Sequence, residues 1–579
     1  MNAYLSCLFL CPLLATPLLA GPGDLDPTFG GGTGIVTTPF GVGGSWAQDI
    51  LLQKNGKFVV VGTSNDGSNG GQVNAFALAR YNPDGSLDPD FGTGGKVTSS
   101  FSPLHGDSAV SSAMQSDGKI VVAGTYHPTG NGYSGMRLAR YNTDGTLDTS
   151  FNLTGTTTQS RPASYDSAQA VAVLPNGKIW VLERTYLETP VESGYVLLRY
   201  TPDGILDTSF NGTGMMTLVV APNGPDQSLD SMAIQTDGKI VFAGRFPIPG
   251  GPVIKQLKRY HANGSVDVSF GTSGLAGNGS NQPAKCILIQ GDGKIVTGAN
   301  SNSQTLLSRF IPDGTPDLTF NGTGTKIIPL DPAIPNGFLN VDSIAVQSDG
   351  RIISKGYSGN GSDGGVRGTT VVRCNSDGSL DTTFDNDGQV LLNLESIGAG
   401  SGLVVQPDGK IVVAGQTRST TTTFTVARLQ GDPDTDRDGL SDSYETGTGV
   451  YVSATNTGSN PALADSDADG IPDGQEARVT HTNPNLADTD GDGFDDLFEI
   501  NTGFNPTSNT STPDAVSSIR TAVEFRFNAA NGISYRIESS TDLTNWTIIE
   551  PTIIGTGAVV TRFYTTENQP KRYFRPRRN

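Results

Sequence analysis

Carboxylates recur at a fixed spacing near the end of the chain. Three stretches of twelve residues, which begin at Asp434, Asp465 and Asp488, carry Asp at positions 1, 3, 5 and 9, Gly at position 6 and Glu at position 12. Alternating carboxylates around a glycine turn are the ligand pattern of an EF-hand calcium loop, in which the carbonyl at position 7 adds an oxygen. The spacing therefore predicts three Ca²⁺ sites. The predicted ligands are Asp434, Asp436, Asp438, Leu440, Asp442 and Glu445 in the first loop, Asp465, Asp467, Asp469, Ile471, Asp473 and Glu476 in the second, and Asp488, Asp490, Asp492, Phe494, Asp496 and Glu499 in the third.

The charge of the chain is concentrated around these loops. The net charge is −19, and residues 432–499 alone hold 17 acidic and 2 basic side chains. A block of like charge is either a solvated linker or a site that cations neutralise, and the threefold spacing favours Ca²⁺ as part of the fold. The negative balance argues against nucleic acid as a partner, because phosphates require clustered Lys and Arg.

A 23-residue period joins the second loop to the third, since Asn460-Pro461 and Asn483-Pro484 stand at matching positions before them. Long amphipathic helices do not flank the loops, which argues against a calmodulin-like switch. Residues 432–510 resemble the bacterial thrombospondin type 3 repeat, and the resemblance implies a calcium-stiffened stalk. The first loop departs from that pattern, because no Asn-Pro step precedes Asp434.

Three markers recur seven times in register upstream of the acidic loops. Each unit carries an Asn-Gly or Asp-Gly turn, a strand that ends in Arg, and an Asp three residues before a Phe. Asn-Gly and Asp-Gly between apolar runs are strong hairpin signals, because both central residues of a type I′ turn need positive φ. The turn glycines are Gly56, Gly118, Gly177, Gly238, Gly293, Gly350 and Gly409; the arginines are Arg80, Arg140, Arg199, Arg259, Arg309, Arg373 and Arg428; the phenylalanines are Phe29, Phe91, Phe151, Phe210, Phe270, Phe320 and Phe384.

The repeated unit predicts an all-β fold, a seven-bladed β-propeller. Each unit supplies four short strands, which is the content of one propeller blade. The first Phe marker has no Arg strand before it, and the last Arg strand, at Arg428, has no Phe marker after it. The strand near Gly34–Phe40 is therefore expected to complete the blade that ends at Arg428, which closes the ring and hides an open sheet edge.

The stretch Arg140–Phe151 resembles the repeat of the delta-60 family of secreted bacterial proteins, and the resemblance covers roughly residues 24–430. The family implies a propeller and no particular ligand. We interpret the recurring residues as structural, with Phe between blades and Arg bracing a loop carbonyl or the Leu-Asp turn. Function is expected where blades differ, on the face opposite the Asp-Gly turns. That face carries side chains suited to an extracellular glycan or protein ligand, although relaxed surface loops explain it equally well: Trp46, His105, Tyr126, His127, Arg184, Tyr186, Arg245 and Tyr357.

Motifs of catalysis are missing from the sequence. It contains no Gly-x-Ser-x-Gly elbow, Walker loop or His-Glu-x-x-His stretch, and its four histidines are scattered. The sequence therefore predicts a non-catalytic protein with a binding, adhesion or scaffold role. The alternative is a carbohydrate-active propeller enzyme, a hydrolase or lyase, that uses carboxylates at the mouth of the channel.

The two ends of the chain are predicted to be a secretory signal and a small β domain. The apolar run Tyr4–Leu14 and a cleavage site after Ala20 predict a secretory signal, hence a secreted or cell-surface protein, and no later segment has the length of a membrane span. Apolar and polar residues alternate in residues 515–579 and predict a small C-terminal β-sandwich. Its basic end either contacts the cell envelope or is solvated. The predicted domains are the signal (1–20), the propeller (21–431), the calcium repeats (432–510) and the sandwich (511–579).

The mature chain retains two cysteines, Cys286 and Cys374, which lie in neighbouring repeats. They either pair in a disulfide or are two separate buried thiols.

Overall fold

The structure is a computed structural model. It describes residues 21–65, 67, 74–101, 106–127, 133–188, 191–222, 228–246, 256–279, 282–330, 337–360, 366–392, 394, 402–418, 421–432, 436, 438, 440–442, 444–454, 456–511, 522–565 and 573–579. The predicted signal segment, His105 and the predicted ligand Asp434 lie outside these residues. Within the described ranges, no helix combines the length and the apolar character needed to cross a bilayer.

Short strands dominate the chain, as the glycine-rich repeats predict. The first 28 strands are β1 (Ile35–Thr38), β2 (Ser45–Leu52), β3 (Phe58–Asn65), β4 (Asn74–Tyr81), β5 (Lys96–Ser99), β6 (Asp107–Met114), β7 (Ile120–Tyr126), β8 (Gly135–Tyr141), β9 (Thr156–Gln159), β10 (Ser164–Val173), β11 (Ile179–Glu188), β12 (Val191–Tyr200), β13 (Met215–Pro222), β14 (Leu229–Ile234), β15 (Ile240–Gly244), β16 (Leu257–Tyr260), β17 (Leu275–Ala276), β18 (Ala284–Ile289), β19 (Ile295–Ser301), β20 (Gln304–Phe310), β21 (Thr325–Ile327), β22 (Gly337–Val346), β23 (Ile352–Asn360), β24 (Val366–Cys374), β25 (Gln389–Leu392), β26 (Leu403–Val405), β27 (Ile411–Arg418) and β28 (Thr422–Leu429).

These strands form four-stranded antiparallel sheets, seven of them among the described residues. Six sheets take four consecutive strands each, from β2–β5 to β22–β25. The seventh has the order β1-β28-β27-β26, with Ile35 opposite Ala427, so the start of the chain supplies its outer strand as predicted. Each innermost strand contacts the innermost strand of the next sheet, and β26 contacts β2, which closes the ring. The all-β fold class is confirmed.

A second glycine turn, which follows the third strand and differs from the seven turns named above, packs against the recurring Phe of the preceding unit. Gly145, in the loop that follows β8, has φ +85°, and a Cβ there would lie 2.9 Å from the ring of Phe91 in the preceding unit. Glycine is therefore required at this turn both for its conformation and for the space that the ring fills. Phe91 is fully buried. The expectation that Phe fills the gap between blades agrees with this packing.

The recurring Arg connects three features at once. Arg80 donates from Nε to Asp88 Oδ2 at 2.6 Å and from Nη1 to the carbonyl of Thr143 in the next unit, and its guanidinium carbon lies 4.6 Å from the centre of the Phe91 ring. Arg thus braces both the loop carbonyl and the Leu-Asp turn. Equivalent Nε–Oδ2 contacts of 2.7 to 2.9 Å join Arg140 to Asp148, Arg199 to Asp207, Arg259 to Asp267, Arg309 to Asp317, Arg373 to Asp381 and Arg428 to Asp26.

The sixth sheet departs from this pattern where the acidic segment begins. Arg373 Nη1 lies 3.1 Å from the carboxylate of Asp432 instead of bonding a carbonyl of the next unit. Arg351 replaces the Lys of the other turns, pairs with the same carboxylate, and lies 5.3 Å from the ring centre of Tyr444. Asp432 and Tyr444 therefore anchor the start of the acidic segment on this sheet.

The two cysteines among the described residues, Cys286 in β18 and Cys374 in β24, are free and buried. They belong to one hydrophobic cluster with Leu307 and Phe320. The second of the two open interpretations, separate buried thiols, describes this structure.

The chain divides into two compact units, Met1–Asn485 and Leu486–Asn579. The first contains the short helix α1 (Asp473–Gln475) and a π-helical turn (Glu476–Thr480). The second contains α2 (Asp496–Thr502) and five strands: β29 (Ala522–Asn528), β30 (Ser534–Ser540), β31 (Thr547–Ile554), β32 (Val559–Thr565) and β33 (Tyr573–Arg578). Strands β29 and β32 form one sheet and β31-β30-β33 another, with a shared cluster of apolar side chains.

The basic end of the chain is a strand of this second unit. Arg575 in β33 donates to Glu538 Oε2 at 2.7 Å and lies 3.8 Å from the ring centre of Trp546. Arg577 lies 3.9 Å from the same carboxylate. Lys571 and Arg572, which belong to the predicted envelope contact, are outside the described residues.

Candidate functional site

The second acidic loop shows how the sequence folds around a cation site. Carboxylate oxygens of Asp465, Asp467 and Asp469 lie within 4.8 Å of one another. Gly470, at φ +100°, makes the turn and donates its N–H to Asp465 Oδ2 at 3.1 Å. The N–H of Asp469 bonds Asp467 Oδ1 at 3.1 Å. Each of these bonds uses one oxygen, and Asp465 Oδ1 and Asp467 Oδ2 are buried without a hydrogen-bond partner among the described residues.

The third loop repeats this geometry in the second unit. Asp488, Asp490 and Asp492 bring carboxylate oxygens within 4.8 Å of one another. Gly493, also at φ +100°, donates to Asp488 Oδ2 at 2.9 Å. Asp490 Oδ2 and Asp492 Oδ2 are buried, and no described residue donates a hydrogen bond to them.

The first loop brings Asp436, Asp438 and Glu445 together within the same 4.8 Å limit. Its wall is shared with the second loop, because Gly474 donates its N–H to Asp438 Oδ2 at 2.6 Å. A Cβ at Gly474 would lie 2.6 Å from the Asp438 carbonyl oxygen, so only glycine allows this approach. Asp442, predicted as a ligand, is not part of the group.

The Glu at position 12 of each loop is buried without a cation from the chain. Glu445 Oε2, Glu476 Oε2 and both oxygens of Glu499 accept no hydrogen bond from the described residues. Burial, followed by the charges of neighbouring Asp residues, raises the pKa of Glu445 to about 8, of Glu476 to about 9 and of Glu499 to about 7. A bound cation would stabilise the ionised form of these carboxyl groups.

The Asp at position 9 of the second and third loops accepts hydrogen bonds from the residue at position 2. Asp473 accepts from Ser466 N at 2.7 Å and from Ser466 Oγ at 2.6 Å. Asp496 accepts in the same way from Thr489 N at 3.0 Å and Thr489 Oγ at 2.7 Å. Both oxygens of each Asp thus bond the residue at position 2. The hydroxyl residue at position 2 was the signal in the sequence for this clamp.

The residues at position 7 were predicted to offer carbonyl oxygens. Their apolar side chains are buried or half-buried, which holds the backbone of the loop in place. Leu440 and Ile471 are buried, and Phe494 is half-buried with its ring centre 5.6 Å from that of Phe498. These apolar contacts fix the backbone where the loop turns back toward its Glu.

A second candidate site lies in the channel at the centre of the propeller. A cavity of about 400 Å³ is lined by residues of six sheets and by Gly402 just before β26, and its charged side chains include Asp49, Asp230, Lys285 and Asp342. Lys285 Nζ lies 3.3 Å from Asp230 Oδ1. Asp342 Oδ2 lies 3.9 Å from Nζ of the fully buried Lys355.

Two of the channel groups are strongly affected by burial. Burial raises the pKa of Asp49 to about 6, although Ser112 N and Oγ donate to one of its oxygens at 2.7 and 2.9 Å. Burial lowers the pKa of Lys355 to about 8, and the charge of Asp342 opposes this shift. Burial thus favours the uncharged form of both groups.

Most of the predicted variable-face residues are not gathered at this cavity. Tyr357 lines it. Tyr126 is buried, with the guanidinium of Arg137 4.7 Å from its ring centre, and the half-exposed Tyr186 lies 6.0 Å from the ring centre of Tyr165. Carboxylates at the channel mouth were part of the alternative prediction, but no motif identified Asp49, Asp230 and Asp342 as those residues.

Comparison with known proteins agrees with this architecture. The family model described as "Domain of unknown function (DUF5122) beta-propeller" matches residues 53–91, 115–151, 235–270, 290–320, 347–384 and 406–436. The chain is a β-propeller repeat protein. No curated protein matches it.

Three solved structures share the fold at low similarity. A catalytically inactive virginiamycin B lyase from Staphylococcus aureus with quinupristin has 11% identity and a TM-score of 0.36, over 68% of this chain and 98% of the lyase. An α-L-arabinanase from Penicillium chrysogenum with arabinobiose has 10% identity and a TM-score of 0.35, over 67% and 94%. A calcium-binding regucalcin from Agrobacterium tumefaciens has 11% identity and a TM-score of 0.27, over 68% and 97%.

These structures correct the prediction that the chain is not an enzyme. The lyase and the arabinanase are enzymes. A propeller without the motifs named above can therefore be an enzyme. The prediction of a non-catalytic protein, which rested on the absence of those motifs, was wrong. The substrates named with these structures are properties of those proteins alone.

Proposed function

We propose that this chain is a secreted calcium-binding propeller protein in which Ca²⁺ completes the three acidic loops. The supporting observation is the set of buried carboxylate oxygens that no described residue contacts by a hydrogen bond, such as Asp467 Oδ2, Glu476 Oε2 and Asp490 Oδ2. Leaving an ionised group buried and unpaired costs several kcal/mol. A bound cation removes that cost.

The donor set favours Ca²⁺ over other metals. Every grouped ligand is a carboxylate, and no grouped residue is Cys or His, so the clusters lack the soft donors that zinc and copper sites use. Ca²⁺ takes six to eight oxygens in flexible geometry, whereas Mg²⁺ requires a near-ideal octahedron and retains waters. The likeness to thrombospondin type 3 repeats supports the same ion.

The proposed role is that of a binding, adhesion or scaffold protein outside the cell, with the acidic segment as its stiffened stalk. Extracellular calcium modules bind at about 10⁻⁴–10⁻³ M, which suits a chain that begins with a secretory signal. The proposed partner is an extracellular glycan or protein on the variable face of the propeller.

Equilibrium dialysis of the full mature chain with radioactive Ca²⁺ tests this proposal. We expect three ions per chain, and two after Asp467→Asn combined with Glu476→Gln in the second loop. Asp203→Asn is the matched control, because Asp203 is an exposed acidic residue in a propeller turn. Absence of saturable binding at several millimolar Ca²⁺, or the same stoichiometry in the loop variant, would overturn the proposal.

A second candidate function is that of a carbohydrate-active propeller enzyme. The observation that favours it is that Asp49, Asp230 and Asp342, from three different sheets, line one cavity. Glycoside hydrolysis needs one protonated carboxyl group and one carboxylate. Burial raises the pKa of Asp49 to about 6, while Asp342 faces the ammonium group of Lys355, so the environments of the two carboxyl groups differ as such a pair requires.

Incubation of the purified chain with a panel of polysaccharides tests the second candidate through new reducing ends. We expect product from at least one neutral polysaccharide, and a loss of at least a hundredfold in rate in Asp49→Asn and in Asp342→Asn. No product across the panel, or unchanged rates in both variants, would count against this function.

A further inference from the structure

The innermost strands of the propeller share a feature that the sequence does not reveal. In six of them the register shifts by one residue against the second strand, for example between Ala47 and Asp49. The extra residue of a β-bulge is unpaired, and the bulge re-aims its side chain. All six extra residues line the channel cavity and form what we call the bulge ring: Gln48, Val110, Gln169, Asp230, Lys285 and Asp342.

The bulge ring is not uniform. Three consecutive sheets place the uncharged Gln48, Val110 and Gln169 in it, and the next three place the charged arc, Asp230, Lys285 and Asp342. A position that only served the architecture would carry similar residues in each repeat, as the Phe and Arg markers do. The charged arc therefore differs from the repeated framework and has the character of a recognition surface.

The charges of the arc are balanced by the chain. Lys285 pairs with Asp230, and Lys355 lies beside Asp342. Lys355 stands opposite the residue that follows the bulge, a position that is apolar or glycine in the other five bulged sheets: Val61, Ala123, Leu182, Ala243 and Gly298. Burying an ammonium group there is costly, and its position next to Asp342 offsets that cost.

One acceptor of the arc has no hydrogen bond from the described residues. Asp230 Oδ2 is buried, and among the described residues it has no hydrogen-bond partner, although Oδ1 of the same side chain contacts Lys285. Along the arc an acceptor (Asp230), a donor (Lys285) and an acceptor (Asp342) follow one another, and Gln48 and Gln169 add amide groups to the same cavity. Hydroxyl groups both donate and accept, so they match such an alternation.

We propose that the bulge ring binds the terminal unit of a neutral oligosaccharide, with the charged arc bonding its hydroxyl groups. This inference deepens the second candidate function and rests on it for the substrate class. Balanced charge in the arc disfavours a strongly ionic ligand, and the cavity of about 400 Å³ lies in the range of small-molecule sites.

Calorimetric titration of the full mature chain with neutral oligosaccharides of three to six units, from cellulose, xylan and arabinan, tests the assignment. Oligogalacturonate and chitosan oligomers are the anionic and cationic arms. Asp230→Asn and Lys285→Gln are the variants, because both side chains are partly exposed (25% and 38%) and can be replaced without leaving a deeply buried charge. Each is expected to raise the Kd at least tenfold, and the exposed control Asp203→Asn to leave it unchanged.

The outcomes separate this inference from the enzyme proposal. Neutral binding that both arc variants weaken, without product in the parent chain, supports the bulge ring and counts against the enzyme. Product formation at unchanged rate and Kd in both variants supports the enzyme and overturns the bulge ring. Binding of charged oligomers only, or no binding to any arm, also overturns the inference.

Discussion

Buried carboxyl groups beside the recurring Arg of the propeller have lowered pKa values, whereas the Glu carboxyl groups of the acidic loops have raised pKa values, as Asp317 and Glu476 illustrate. Burial raises the pKa of Asp317 in the propeller, but hydrogen bonds from Thr319 and the charge of Arg309 outweigh it and lower that pKa to about 2. Burial and neighbouring carboxylates together raise the pKa of Glu476 to about 9. Asp317 is 4% exposed and Glu476 is 0% exposed, so burial alone does not explain the difference. The cations that pair with the propeller carboxylates belong to the chain, whereas the Ca²⁺ proposed for the loops would come from solution.

The largest expected effect is that of removing Ca²⁺. Chelation with EDTA is expected to open residues 436–499 to limited proteolysis, because their clustered carboxylates then repel one another. The propeller sheets are expected to stay resistant, since their ion pairs lie within the chain. Mass spectrometry of the fragments checks this. Equal cleavage with Ca²⁺ and with EDTA would remove the distinction between the two regions.

The next effect concerns the internal cations of the propeller. Arg309→Met is expected to destabilise the propeller by about 3 kcal/mol. The substitution removes one of the two cations beside the buried carboxylate of Asp317 and leaves Lys294, 3.4 Å away, as the other. Calorimetry is expected to show the same decrease in Tm with Ca²⁺ and with EDTA. The control is Lys54→Met at an exposed position. A decrease that depends on Ca²⁺ would contradict the comparison.

A smaller effect distinguishes two carboxyl groups of the same loop. Glu476→Gln is expected to weaken one Ca²⁺ site at least tenfold, because Glu476 Oε2 has no partner within the described chain. Asp473→Asn is expected to weaken it only a few-fold, since Asp473 bonds Ser466 through both of its oxygens. Ca²⁺ titrations of the two variants distinguish these roles. An equal loss of Ca²⁺ affinity in both variants would indicate that Asp473 binds the ion directly.

The smallest effect is the opposite response of the two regions to pH. A raised pKa in the folded state means that the metal-free loops bind protons more tightly when folded, so their stability falls as pH rises from about 5 through 9. A lowered pKa means that the contribution of Asp317 is kept above pH 4 and is lost as pH falls toward 2. Hydrogen exchange in EDTA, corrected for intrinsic rates, is expected to show these opposite slopes. Parallel slopes would contradict the assignment.

Much of the fold is predictable because repetition and turn chemistry are local. The turn glycines take positive φ as predicted, for example Gly118 at +84°, but Asp117 before it does not, so the turn is not type I′. The missing partners of the first Phe marker and of Arg428 predict the closure by β1, since an open sheet edge is unfavourable. The spacing of the acidic loops also predicts which Asp residues group at positions 3 and 5.

Other features depend on packing between distant segments and were not predictable. A β-bulge has no fixed sequence pattern, so the convergence of Asp230, Lys285 and Asp342 follows only from the closed ring. The contact of Asp432 with the sixth sheet had only a weak signal in the sequence. Arg351 follows its turn glycine at a position that is Lys in the other six repeats. The hydrogen bonds of Asp473 with Ser466 were likewise not predicted, because the ligand pattern considers only the position of each residue in the loop.

A crystal structure of the Ca²⁺-loaded chain with anomalous diffraction data tests the central claim most directly. The account predicts an anomalous peak in each acidic loop, about 2.3–2.6 Å from carboxylate oxygens such as Asp467 Oδ2, Glu476 Oε2 and Asp490 Oδ2. Loops without such peaks at millimolar Ca²⁺, with these carboxylates turned toward solvent or paired with Lys and Arg, would contradict it.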